Sequence, residues 1–92
     1  MHLVVAYDVM DDPRRARLSK FLLGYLDRVQ KSVFEGEIEE KRFETMKAGI
    51  EKIIDQDEDT VRIYHLCLRC IPAVEVVGTG VIIEEDEGDF IV

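Results

Sequence analysis

The sequence has little of what would mark a membrane, secreted or disulfide-stapled protein. No stretch approaches the roughly 18 consecutive apolar residues of a membrane span. The apolar run near the N-terminus, LVVAY, is interrupted by Asp8 and is too short for a signal peptide. Cysteine is scarce, with two in 92 residues, and no targeting segment is visible. The expectation is a cytoplasmic protein with no membrane partner. Internal repeats and low-complexity linkers are also missing, so residues 1–92 are expected to form one domain. Basic residues are in deficit, twelve Lys and Arg against twenty Asp and Glu, for a net charge of −8. That balance argues at first against a nucleic-acid partner.

The distribution of charge softens the objection. Residues 1–34 carry six Lys and Arg against four acids, a balance of +2, and residues 35–92 carry six against sixteen, a balance of −10. A basic patch can exist on an acidic protein, because a phosphate feels the field within a Debye length. The acidic C-terminal half, including EEDEGD at 84–89, reads as a solvated surface.

Hydrophobic periodicity supplies the elements. A strand is expected at 2–9 and ends in the acids Asp8, Asp11 and Asp12. Asp12 before Pro13 predicts a helix start, with Asp12 as the cap. Leu18, Phe21, Leu22 and Tyr25 then form a stripe at helical spacing, fading over 24–27. Residues 28–38 predict one strand with a bulge or bend near 34–36. A second helix over 39–55 has the stripe Phe43, Met46, Ile50, Ile53 and Ile54, and no good N-cap residue. TVRIYHLCL predicts a third strand, and VEVVGTGVII one strand broken at Gly78 and Gly80, or two short ones. Strands alternating with one-sided helices give an α/β (α+β) sandwich: a ferredoxin-like plait, one antiparallel-type sheet with both helices on one face. The other face needs cover, and a second copy is its natural supplier in so short a chain.

The chemistry concentrates at the end of the first strand. Asp8 is either a loop residue capping the following turn or a ligand held on rigid structure. Arg14, Arg15 and Arg17 lie in the first turns of the following helix, at the same sheet edge. Arginine suits bidentate phosphate contact, whereas a solvated helix start paired with Asp11 and Asp12 is the plainer reading. One carboxylate holds Mg²⁺ poorly, but a two-fold dimer pairing two Asp8 side chains would supply a second. Such a site could activate water and neutralise charge on a phosphodiester, with Mn²⁺ able to substitute for Mg²⁺. No other general base is near in sequence.

VVAYDVMDDPRRARL, then RVQKSVFEG, then VRIYHL followed by VEVVG, resembles the CRISPR-associated protein two family, the small subunit of prokaryotic CRISPR adaptation. The resemblance covers roughly residues 2–80. It implies a ferredoxin-like fold and a homodimer whose C-terminal segment, about 78–92 beyond a core of about 1–77, packs on the partner's sheet. It implies partnership with the CRISPR integrase subunit in inserting spacer DNA. Some members are described as metal-dependent endonucleases on RNA or DNA, others as non-catalytic bridges. By position, Asp8 matches the family's metal-binding acid, preceded by Tyr7. Arg15 and Arg17 match its helix arginines, Arg28 opens its second motif and Phe34 is its aromatic. Lys31 stands where many members have tyrosine, making that surface more basic, and His65 where many have proline.

Three functions are thus in view. The first is a metal-dependent phosphodiesterase acting on single-stranded RNA or duplex DNA, with Asp8 on Mg²⁺ and with Arg14, Arg15, Arg17, Arg28 and Lys31 on phosphates. The second is a scaffold that binds prespacer duplex and joins integrase subunits without turnover. The third, a small-molecule regulatory plait, ranks last because DVMDDPRR lacks the glycine of such ligand loops. Cys67 and Cys70 have the spacing of a zinc knuckle or redox pair. Zinc would need His65 and His2 as well, so a reversible disulfide or plain buried thiols are the expectation.

Overall fold

The computed structural model describes residues 1–78. The elements are β1 His2–Asp8, α1 Asp12–Leu22, β2 Asp27–Gln30, β3 Val33–Glu37, α2 Glu40–Ile53, β4 Thr60–Leu66 and a 3-10 turn, Ile71–Ala73. β1 pairs antiparallel with both β3 and β4, and β2 pairs with β3, so the sheet runs β2-β3-β1-β4. This is the expected ferredoxin-like plait.

The alternation of β1 divides the sheet into two faces. Leu3, Val5 and Tyr7 are buried in one cluster with Leu18 and Leu22 of α1, Phe34 of β3, and Phe43, Met46 and Ile50 of α2. His2, Val4 and Ala6 are half-buried and Asp8 is exposed. Register carries the division across the sheet: Val5 lies opposite Phe34 and Ile63, while Val4 lies opposite Glu35 and Tyr64. The second face is left without a covering layer among the described residues.

Several local expectations are corrected. The α1 cap is Asp11, whose side chain accepts from the Arg14 N–H at 3.0 Å; Asp12 is already helical, where its charge suits the N-terminal dipole. α1 closes at Leu22 with Leu23 as its C-cap, earlier than expected, and Tyr25 packs on Phe21 from outside the helix. The single strand over 28–38 is a hairpin, β2 and β3, reversing at Lys31 and Ser32. Its irregularity falls between Arg28 and Gln30, not at 34–36. Gly36 lets Leu26 pack close, since a Cβ there would lie 3.3 Å from the Leu26 side chain and push it back slightly. α2 begins without a side-chain cap, as expected from Glu39. Residues 74–77 form no strand: Val76 and Val77 are 67% and 98% exposed, and no strand among the described residues pairs with their backbone. The rest of that expected strand and the acidic end lie outside the described residues.

A long-range ion pair joins α1 to the loop before β4. Arg14 Nε donates to Asp59 Oδ2 at 2.7 Å and Nη2 donates to Oδ1 at 3.1 Å. The Asp59 side chain is fully buried, and the backbone N–H of Asp55 also donates to it at 2.8 Å. Arg14, and then the Asp55 N–H, hold the Asp59 carboxyl below its usual range, and Asp59 in turn raises the Arg14 guanidinium.

Two outcomes follow from this packing. Gly49 sets the approach of α2 to α1, because a Cβ there would run into the Phe21 ring, with Cε1 only 2.8 Å away. Gly49→Ala gains about 1 kcal/mol of helix propensity and loses about 1–3 kcal/mol to overpacking. The melting temperature is expected to fall in Gly49→Ala and to rise again when Phe21→Leu is added. The Asp59 carboxyl is depressed in the folded state, so its contribution is present above the unfolded value of about 3.9 and disappears as pH falls through the folded value. Asp59→Asn should therefore melt below the parent chain at neutral pH, and calorimetry at about pH 3 should find that gap narrowed. A gap that stays constant with pH would assign Asp59 a packing role.

Candidate functional site

Asp8 closes β1 opposite Thr60, and the strand alternation turns it to the uncovered face with Val4 and Ala6. It is exposed, and no side chain among the described residues bonds to its carboxylate. The chain just beyond it is braced by Arg15. Nη1 of Arg15 donates to the carbonyls of Val9 at 2.8 Å and Met10 at 3.2 Å, and Nη2 pairs with Asp12. The Arg15 side chain is thus partly spent on holding the β1–α1 loop, and its Nε is buried with no partner among the described residues.

Tyr7, next to Asp8, points the other way. Its ring stacks on Phe34 at 6.2 Å between centroids, and its hydroxyl donates to the Lys31 carbonyl at 3.4 Å. The same carbonyl accepts from Arg28 Nε at 3.2 Å and Nη2 at 3.0 Å, while the guanidinium lies 5.6 Å from the centre of the Phe34 ring. Arg28 is 1% exposed. The expectation that Arg28 contacts nucleic acid is corrected on that ground: it is a buried brace for the β2–β3 turn, stabilised by carbonyl and ring. Phe34 is likewise core, not a base-stacking surface.

Arg14 is corrected too. Besides Asp59, its Nη2 donates to Glu58 at 3.3 Å, and Nη1 lies 3.8 Å from Asp11. Three carboxylates surround one guanidinium, so Arg14 offers no net positive charge to a phosphate. Arg17 and Lys31 are exposed, and neither side chain has an acidic partner among the described residues. Of the five cations expected to hold phosphate, these two are left exposed and without an acidic partner, and Arg15 is partly engaged.

Arg62 was missed in the sequence. It is exposed on β4 opposite Ala6, one step along the uncovered face from the Asp8–Thr60 pair. The alternation within TVRIYHL carried that signal, since Arg62 and Tyr64 occupy the face opposite Val61 and Ile63. Farther along this face His2 lies between Glu35 (2.8 Å from Nε2) and Glu37 (3.2 Å from Nδ1).

Among the described residues, no group of three or more His, Cys, Asp and Glu converges on a metal position. One chain offers a metal one free carboxylate in this region, Asp8. That fits Mg²⁺, which keeps several waters and takes one or two carboxylates with substrate phosphates, provided the missing oxygens come from outside the chain. Zinc at Cys67 and Cys70 finds no support: His65 packs edge-on against Phe43 at 5.4 Å, and His2 is engaged by its two glutamates.

Comparison with known proteins agrees with this arrangement. The family model described as CRISPR associated protein Cas2 matches residues 1–73. A relative from Thermococcus kodakarensis, named CRISPR-associated endoribonuclease Cas2, is 50% identical over 78 residues, covering 85% of this chain and 88% of its own. The crystal structure of Streptococcus pyogenes Cas2 superposes with a TM-score of 0.76 at 32% identity, covering 85% of this chain and all of that one. A chain of a partial Cas6-RT-Cas1–Cas2 complex superposes with a TM-score of 0.72 at 34% identity, covering 83% and 89%. The central Asp8 strand, the sheet order and the extent of these matches agree, and the chain belongs to the CRISPR associated protein Cas2 family.

Proposed function

We propose that this chain acts in CRISPR spacer acquisition as a symmetric homodimer. The dimer binds prespacer DNA, bridges integrase subunits and carries a Mg²⁺-dependent endonuclease site at a pair of Asp8 carboxylates. One observation carries the reading. Asp8 lies on the same uncovered sheet face as Val4, Ala6 and Tyr64, with Arg62, His2 and Glu35 among them, so a second copy covering that mixed face approaches Asp8 as well. The neighbour drawn from a Cas1–Cas2 complex supports an integrase partner, and the relative named an endoribonuclease supports RNA as the cleaved substrate. Family membership supports a cytoplasmic location, where a prokaryotic chain meets its nucleic acids; no helix among the described residues can cross a membrane.

In this reading Asp8 holds the ion, with Mn²⁺ able to replace Mg²⁺. The ion would supply water activation and charge neutralisation at the phosphodiester. The protein's own groups do the rest. β1 fixes the position of Asp8, Arg15 fixes the loop beyond it, and Arg17 and Lys31 draw in the phosphate backbone.

Asp8→Asn preserves shape and removes charge. Cleavage of single-stranded RNA in Mg²⁺ or Mn²⁺ should fall on the order of a hundredfold or more, the size seen when a charge-stabilising group is lost. Equal cleavage by both proteins would place the chemistry elsewhere. If neither cleaves and both support spacer integration with the partner, the chain is a scaffold alone. Arg17→Ala should weaken binding to all sequences alike and reduce the salt slope by about one. Val4→Asp tests assembly: light scattering should move from twice the chain mass to the chain mass, and metal-dependent cleavage should be lost with it. A parent chain that is monomeric at every concentration would remove the shared site.

A further inference from the structure

The chain leaves β4 at Leu66 and reverses through Cys67, Leu68, Arg69 and Cys70. The N–H of Cys70 donates to the Cys67 carbonyl at 2.9 Å, and that of Ile71 donates to the same carbonyl at 3.2 Å. This is a single turn of helical type, and residues three apart on such a turn share a face. The two sulfurs are therefore neighbours, with the Cys70 Sγ 3.0 Å from that of Cys67. A covalent bond between them needs about 1 Å of closure, to about 2.05 Å. Both thiols are exposed, which corrects the expectation of buried ones, and Leu68 between them is 86% exposed, so nothing among the described residues covers the turn.

We propose that Cys67 and Cys70 form a redox-active dithiol that exchanges with low-molecular-weight disulfides of the glutathione class. A structural staple is the weaker account, because closing a loop this short constrains the unfolded chain very little. The two cysteines also differ in role. The Cys70 thiol, followed by the backbone N–H groups of Cys70 and Arg69, holds the Cys67 thiol below its usual range, and Cys67 pushes Cys70 above it. Cys67 is thus the attacking group. Its thiolate displaces one thiolate from the small disulfide, whose S–S bond breaks as a mixed disulfide forms at Cys67. Cys70 then gives its proton to solvent and attacks the Cys67 sulfur, releasing the second small thiolate. The protein loses two protons and two electrons, and the small disulfide becomes two thiols. The site lies at the opposite end of β4 from Thr60 and Asp8. It stands where the chain departs from the sheet, so its oxidation state fixes the geometry from which residues 71–78 begin.

The test uses the full chain, equilibrated in glutathione buffers from reducing to oxidising, quenched with acid, alkylated and weighed intact. Two adducts are expected at the reducing end and none at the oxidising end, with the chain still single on a non-reducing denaturing gel. Cys70→Ser should trap glutathione on Cys67 faster at neutral pH than Cys67→Ser traps it on Cys70, because the backbone N–H groups of Cys70 and Arg69 that favour the Cys67 thiolate remain in place. Circular dichroism of both variants should match the parent, since both side chains are exposed. Two adducts throughout the series would overturn the proposal. So would disulfides linking separate chains, equal trapping rates in the two variants, or protection from alkylation that a chelator abolishes, which would mark a metal site instead.

Discussion

The two-residue period of β1 is the constraint on which the rest of the structure depends. β1 is paired along both edges, with β3 and with β4, and its odd positions Leu3, Val5 and Tyr7 enter the core. A slip of one residue would expose these and bury Asp8 and His2, at the cost of a desolvated carboxylate and several lost apolar contacts. The same period therefore fixes the core and the side of the sheet on which Asp8 stands. Tyr7 and Asp8 are adjacent in sequence and opposite in role for this reason. Tyr7 secures the β2–β3 turn from inside, and Asp8 is presented outside on a strand tied at both edges.

The elements read most clearly from the sequence were those with a strong period. β1, both helices and β4 stand within a few residues of their expected positions. The fold class followed from their order. The hairpin did not, because RVQKSVFEG contains no Gly or Asn pair at its reversal and its apolar residues alternate imperfectly. The turn at Lys31 and Ser32 is secured instead by distant groups, the Arg28 guanidinium and the Tyr7 hydroxyl on one carbonyl. No local pattern encodes that.

The arginines show the same limit at the site. Sequence placed Arg14, Arg15 and Arg17 together at the start of a helix, and the structure keeps them there. It also brings Asp59 from 45 positions away and buries its side chain against Arg14. Within four residues of one helix the same side chain then has three different uses: Arg14 as a tertiary ion pair, Arg15 as a loop brace and Arg17 as a surface charge without an acidic partner among the described residues. Arg28 reads as basic surface in sequence and proves to be among the least exposed residues of the chain. Charge counted along a sequence overstates the charge available to a ligand, because partners chosen by the fold are invisible to it.

Assembly and chemistry are coupled under the proposed reading, and the direction of the coupling can be worked out. Covering the open face gains from Val4, Ala6 and Tyr64 and loses from bringing two Asp8 carboxylates together. A cation bound between them reverses the second term, so it binds the dimer more tightly than the separate chains. By linkage, whatever prefers the dimer also stabilises it, and the dimer returns the same factor in affinity for the ion. Arg62 lies two register positions from Asp8, on the same face, and can offset part of the repulsion without metal. The balance between Arg62 and the ion then decides how far the dimer depends on metal. A strong contribution from Arg62 yields a dimer that stands without metal and binds the ion weakly, whereas a small one ties assembly to the ion. The scaffold and nuclease readings thus differ in one local quantity, the charge left uncompensated around Asp8.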